Sequence, residues 1–411
     1  MSFVPVAVLN VGLRLGPEAR RVGRLARVNR RILFEYDPTF LADPVPISPA
    51  HLPVVPGVQE AKKGLFDGLF GVFDDSLPDG WGRLLLDREM DRRGVGRHAL
   101  SPLDRLAFVG EQGAGALVYE PAWEEASAPP SAVDVLMLAE EARLVLEGDA
   151  ESVFPELLAL GGSSGGAHPK VLVAMRPGDG ALSVGSKDPP PGYLPVLVKF
   201  RNRADPEDTG AVELAYARLA AAAGIDIART WLVGGTTTTP GYFATERFDR
   251  NPRVHLHSAC GLLHADHRVP SLDYEALLRA VRWLTRDQRA VEQMYRRAAF
   301  NVYAHNRDDH SRNFAFLLDE TKAWRLAPAY DLTFSGGPGG EHWMTVAGEG
   351  RAPSAAHLLT VAERVGIAAR DAKAIVEEVR AVIGTWPAVA AGAGVGRASS
   401  KRVAATLARI A

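Results

Sequence analysis

Residues 299–334 read AFNVYAHNRDDHSRNFAFLLDETKAWRLAPAYDLTF. Asp308 and Asn313 stand five positions apart, joined by the polar turn DHSR and followed by the strand-like run NFAFLL. A second strand candidate, within AWRLAPAYDLTF, ends at Asp331. An acid, an amide five positions on, a strand, a turn, a strand and a second acid form the order that magnesium-dependent phosphoryl transfer requires. One carboxylate orients the attacking hydroxyl, while an amide oxygen and another carboxylate hold the cation against the phosphates. Protein kinases use the same Asp-to-Asn spacing in their catalytic loop and place a metal-binding Asp after a hairpin.

Asp and Asn are also ordinary turn residues, so this spacing alone has a bland reading. The run Asn306, Arg307, Asp308, Asp309 and His310 adds weight, because it packs polar and charged groups between two apolar stretches. Such a cluster is expected to repel or desolvate itself unless a cation or ligand joins it.

The chain has 411 residues, more than one core usually holds, and two or three subdomains are expected. Its 47% hydrophobic and 23% charged residues fit a globular protein, and a formal charge of −2 argues against strong direct binding of nucleic acid. The single cysteine, Cys260, excludes an internal disulfide and reads, within SACGLL, as an inert buried thiol. No apolar run approaches the roughly 18 residues of a membrane span, and the N-terminus lacks a signal-peptide pattern. These points predict a cytoplasmic protein with no membrane association.

From the N-terminus, VPVAVLNVGLRLG, RVGRLARV and RILFEYD read as an antiparallel meander. Pro44, Pro46, Pro49, Pro53 and Pro56 mark an extended connector. The turn LPDG leads into a helix starting near Trp81, with Asp79 as its expected cap. Gly110, Gly113 and Gly115 are not followed by a helix, so they form no dinucleotide fingerprint. A polar, Pro-containing boundary near Ser127–Ser131 precedes an amphipathic helix ended by Gly148.

The stretch LLALGGSSGGAHPKVLVAM reads as a helix end, a glycine loop and a strand. Its loop either lies over phosphates through main-chain donors or serves as a surface linker. It lacks the spacing of a P-loop. Lys199, among apolar residues in VLVKF, either meets an anion or points to water from an edge strand. Glu213, on the helix TGAVELAYARLAAAAG, is either its ion-pair partner or a solvent-facing acid. ARTWLVGG and GYFATERFDR read as further strands, the latter ending where a kinase would hold adenine: Glu246 to Phe248 would read the base and Asp249 the ribose. Residues 255–300 read as helical, and helices are expected again beyond 350, the last of them Ala-rich and running to Ala411.

The segments GGSSGGAHPK, VLVKF, ATERFDR, NRDDHSRNFAF and LAPAYDLTF, in this order, resemble the HipA family of serine/threonine kinase toxins. VGRLARV and FGVFDDSLPDGWGRLLLDR resemble that family's small N-terminal domain, so the resemblance covers nearly the whole chain. It implies an α+β, two-lobed protein-kinase-like fold with a small β-rich N-terminal subdomain and an all-helical C-terminal part. The implied divisions are 1–125, a kinase-like N-lobe at 132–254 and a helical C-lobe at 255–411. It also implies use of ATP and Mg²⁺, with Asp308 as catalytic acid/base and Asn313 and Asp331 as metal ligands. Lys199, Ser163, Ser164, Gly165, Gly166, Ala167, His168, Glu246, Phe248, Asp249 and His310 would form the nucleotide site, supported by Glu213. His310 would support the catalytic turn by hydrogen bonding rather than bind metal. Ser163, or Ser164 beside it, would be autophosphorylated, and the added dianion would repel ATP and expel the loop. Tyr330-Asp331-Leu332 replaces the Asp-Phe-Gly of ordinary kinases, so no switch of that type is implied. The implied partners are a protein substrate, for which aminoacyl-tRNA synthetases are the family's example, and a HipB-like DNA-binding antitoxin. The competing readings are a degenerate kinase fold serving as a regulatory module and a small-molecule phosphotransferase.

Overall fold

The computed structural model describes residues 3–29, 31–123, 131–148, 153, 155–162, 166–184, 189–237 and 239–410. Ser163, Ser164 and Gly165 lie outside them. The chain forms two compact units: residues 1–205, 244–257 and 318–322 make the first, and residues 206–243, 258–317 and 323–411 the second.

The first unit opens with the expected meander. Its antiparallel sheet runs in the order Val58–Glu60, Arg31–Tyr36, Arg20–Val28, Val8–Leu13, Leu117–Glu120. Strict alternation along Val8–Leu13 and Arg31–Tyr36 buries Leu9, Val11, Leu13, Ile32, Phe34 and Tyr36 on one face. Phe34 anchors an aromatic core, its ring 4.8 Å from Tyr36 and 5.1 Å from Phe73. Gly23 is required opposite it, since a Cβ there would come 2.8 Å from the Phe34 ring and collide with the Glu35 carbonyl. Helix Pro102–Val109, started by a Ser101/Asp104 capping box, packs against Leu117–Glu120 and Val8–Leu13, and helix Gly80–Arg92 precedes it in the chain.

In this unit a second sheet runs Tyr242–Glu246, Leu194–Lys199, Lys170–Met175, Leu182–Val184, Ser131–Val133, the chain returning from the second unit within Tyr242–Glu246. Leu194–Lys199 is flanked on both sides, so Lys199 is not an edge-strand lysine.

In the second unit, helices Thr209–Ala222, Tyr274–Thr285, Gln288–Tyr303, Ala355–Arg364 and Ala369–Ile383 enclose one apolar cluster containing Tyr216, Tyr295, Phe300, Phe316 and Trp386. Three expectations are corrected. Residue 255 begins a strand, His255–Ser258, rather than a helix. The strand toward Asp331 covers only Trp324–Leu326, because Pro328 has no N–H to extend a ladder and Asp331 turns to φ 55°. The terminal helix is two, Trp386–Gly392 and Arg397–Leu407, parted by Gly394 at φ 84°. Cys260 is fully buried, as read. Among the described residues no helix is long and apolar enough to cross a membrane.

A buried polar network stitches the first unit. Asp75 Oδ2 accepts from His257 Nδ1 at 2.6 Å, and His257 Nε2 lies 3.0 Å from Ser48 Oγ. The order is that of a nucleophilic triad, but Ser48 is 1% exposed and His257 0%, so no substrate reaches the hydroxyl. The network is structural. His255 beside it lies 2.8 Å through Nε2 from the Ile47 carbonyl, and burial, aided by the charge of His257, pulls its pKa down to about 4. Between about pH 6.5 and 4 the folded chain therefore binds fewer protons here than the unfolded chain, so stability falls with pH across that window. Urea denaturation at about pH 7 and about pH 4.5 should show a loss approaching roughly 3 kcal/mol from this group. His255→Gln, which keeps a donor for Ile47, should shrink that pH slope.

Candidate active site

The turn carrying Asp308 is built outward from the end of helix Gln288–Tyr303. Asn301, on its last turn, accepts from Asn306 Nδ2 at 2.9 Å and donates to the Tyr274 hydroxyl at 2.8 Å. Tyr274 in turn donates to Asp309 Oδ2 at 2.8 Å, and His342 Nδ1 lies 3.0 Å from the same oxygen. Asp309 Oδ1 accepts the main-chain N–H of Trp343 at 2.9 Å and, more weakly, that of Met344 at 3.4 Å. Asp309 is 1% exposed, so a buried carboxylate is held by donors from two separate segments, Tyr274 and the run His342 to Met344. Burial and then the Asp309 charge push the Tyr274 phenol well above its usual pKa, keeping it a donor.

Asp309, Asn306 Nδ2 and the Arg307 amino groups are thus bonded within the protein, while Asn306 Oδ1 and Arg307 Nε find no hydrogen-bond partner among the described residues. Arg307 donates to the carbonyls of Gly340 and Arg351. What the arrangement does is turn Asp309 inward and leave its neighbour Asp308 half-buried.

Asn313 Nδ2 donates to the Asp308 carbonyl at 2.7 Å, and its backbone N–H donates to His310 O at 2.9 Å. The amide so held also carries Oδ1, a hard oxygen. The Tyr330 hydroxyl donates to Arg312 O at 2.6 Å, tying the segment before Asp331 to the same turn. Asp331 holds φ 55°, a strained conformation for a residue with a Cβ. An amide oxygen and a carboxylate so presented suit magnesium, which binds one or two protein carboxylates and completes its shell with phosphates and water. His310 holds the turn through its carbonyl, which accepts the Asn313 N–H; its Nδ1 finds no hydrogen-bond partner among the described residues, and its ring packs near His267 and Trp343. Glu213, in the same unit, is 7% exposed and so not a solvent-facing acid.

In the first unit, Lys199 is half-buried and stands directly opposite Lys170 in the strand register. Lys170, 5% exposed, had no assigned part in the sequence reading; its place opposite Lys199 is what draws notice. Gly166, Ala167 and His168 follow the undescribed residues, and His168 Nε2 lies 3.1 Å from Asp205 Oδ2. Glu246 and Phe248 are half-buried.

Asp249 departs from expectation. Its oxygens receive Arg247 at 2.7 and 3.1 Å, Arg250 at 2.8 Å and the Gly115 N–H at 2.8 Å. Burial raises its pKa, but both guanidiniums and these hydrogen bonds outweigh that and hold the carboxyl below the usual range. Arg247, Arg250 and Arg253 also donate to carbonyls of the Gly113–Gly115 turn. At 4% exposure Asp249 is committed to this lock rather than offered to a ribose.

The class these features define is a kinase-like α+β fold, β-rich in its N-terminal region and helical in its C-terminal part. Residues 162–386 match the HipA-like C-terminal domain and residues 17–120 the HipA N-terminal domain. The chain belongs to the HipA family. Among solved structures it is similar to HipA of Shewanella oneidensis MR-1, solved with HipB and operator DNA, at a TM-score of 0.69 and 18% identity. That match covers 97% of this chain and 95% of the other. The proinflammatory kinase CtkA of Helicobacter pylori overlaps more loosely, at a TM-score of 0.32 and 10% identity over 51% of this chain and 92% of that one. No curated protein matches the sequence.

Replacing Asp309 by Ala strands the Tyr274 hydroxyl, His342 and the Trp343 N–H together. Urea denaturation should report a loss of about 3 kcal/mol, with Asp309→Asn intermediate because one oxygen still accepts.

Proposed function

We propose that this chain is a magnesium- and ATP-dependent kinase of the HipA type, transferring the γ-phosphate to a serine or threonine hydroxyl of a cellular protein. The observation that carries the reading is the turn itself: Asp309 is drawn inward while Asn313 is clamped to the Asp308 carbonyl. Asp308 accepts the proton of the attacking hydroxyl as the new P–O bond forms and ADP departs with its oxygen. Asn313 and Asp331 would hold Mg²⁺, whose charge offsets that of the phosphates. Lys199, with Lys170 opposite, supplies positive charge for the same phosphates, and Glu246 and Phe248 flank the base. Glu213, buried on its helix, is the candidate ion-pair partner of that lysine site. Ser163 or Ser164 is the proposed site of autophosphorylation.

The Shewanella chain is seen with HipB and operator DNA. By that likeness the proposed partner here is a HipB-like antitoxin, and the near-neutral charge of −2 suits DNA contact made through such a partner.

Incubation with labelled ATP and Mg²⁺ tests the reading. Wild type should incorporate phosphate and Asp308→Asn should lose at least about 100-fold in rate. Asn313→Ala and Asp331→Ala should each need more Mg²⁺ for half-maximal rate. Equal incorporation by wild type and Asp308→Asn would remove Asp308 from the chemistry.

A further inference from the structure

The turn Pro78-Asp79-Gly80-Trp81, well before the nucleotide motifs in sequence, closes on the exit of the glycine loop. Asp79 precedes helix Gly80–Arg92, yet its side chain makes no capping bond to that helix. Instead its Oδ1 accepts the N–H of Gly166. The Trp81 N–H donates to the Gly166 carbonyl at 2.9 Å, so both main-chain groups of Gly166 are held by one turn. The Trp81 indole donates to the Lys170 carbonyl at 3.0 Å.

The glycines follow from this closeness. Gly80 sits at φ 42°, and a Cβ on it would collide with the Gly166 carbonyl. A Cβ on Gly161 would come 2.8 Å from the Trp81 indole nitrogen. A Cβ on Gly166 would collide with the ammonium of Lys170, which therefore lies directly beside the loop exit. Lys170 is in turn the register partner of Lys199. One turn thus fixes the loop's exit, its adjoining lysine and the strand position opposite the second lysine.

We propose that Asp79, Gly80 and Trp81 are positioning residues for the phosphates of the bound nucleotide, acting through Gly166 and Lys170; this rests on the kinase reading above. The carboxylate orients the Gly166 peptide, and the turn sets where the loop leaves the phosphates and where the Lys170 charge stands. None of the three touches the reacting atoms. The turn governs affinity for the phosphate part of the nucleotide and leaves affinity for the nucleoside part alone.

Calorimetric titration of the full chain with Mg–AMP-PNP and, separately, with adenosine tests this, with the thermal midpoint recorded for each variant. Asp79→Ala should weaken Mg–AMP-PNP about tenfold and leave adenosine within about twofold. Asp79→Asn, which retains an acceptor oxygen, should recover most of the loss. Gly80→Ala should behave as Asp79→Ala, and carries the test if the latter does not fold. Unchanged Mg–AMP-PNP binding in both variants overturns the proposal. So does an equal loss of both ligands together with a lowered midpoint, which would make the turn a folding element only. A wild type that binds no Mg–AMP-PNP overturns the kinase reading, and this inference with it; a wild type that binds, beside variants that bind equally well, overturns this inference alone.

Discussion

The turn that carries Asp308 and Asn313 depends on one buried carboxylate. Asp309 is nearly sealed from water, and an ionised group there is tolerable only because Tyr274, His342 and the Trp343 and Met344 main chain all point donors at it. Those donors come from a helix start and from the single run His342 to Met344, which meet the turn that carries Asp309. Satisfying the charge pins three segments at one point, and Asp308 and Asn313 inherit their positions from that pin. Asn313 adds a second tie by spending its amide hydrogens on the Asp308 carbonyl. The presentation of Asp308 is a by-product of where its neighbour had to go.

The first unit solves a different problem by the same means. The Gly113–Gly115 turn exposes carbonyls that need donors, and Arg247, Arg250 and Arg253 provide them. Three guanidiniums close together repel, and burial presses Arg250 and Arg253 below their usual pKa. Asp249 offsets that repulsion from the middle of the group. The motif ATERFDR therefore carries two functions in adjacent residues: Arg247, Asp249 and Arg250 lock the fold, while Glu246 and Phe248 remain half-buried. Among the described residues the same division recurs at the glycine loop, where Gly161 and Gly166 are small because Trp81 and Lys170 approach them.

Much of this was legible beforehand. The meander, the lysine strand, the helix with Glu213 and the pair of helices before the catalytic turn follow from period-2 and period-3.6 patterning, which reports local burial directly. The motif order also carried the family, which the matches at 17–120 and 162–386 establish. What patterning misjudged were polar residues. Asp79 read as a helix cap because acids before helices usually are, and Asp249 read as a ligand because it closes a strand. Asp309 counted only as one member of a polar run, with no role of its own beside Asp308. A polar side chain in a turn has the same local signature whether it faces solvent, a ligand or a distant donor.

The order of chemistry-bearing residues and the alternation that makes the strands were determined by the sequence alone, because each depends on neighbours within a few residues, and the single cysteine by itself excludes an internal disulfide. Which of two adjacent acids turns inward was decided only by tertiary structure. Asp308 and Asp309 are chemically identical and consecutive; the difference lies in Tyr274 and His342, some 35 and 33 positions away, and in the cost of burying a charge without them. Asp79 found Gly166 across 87 positions for the same reason. Long-range hydrogen-bond partners are set by packing, and packing is a property of the folded chain.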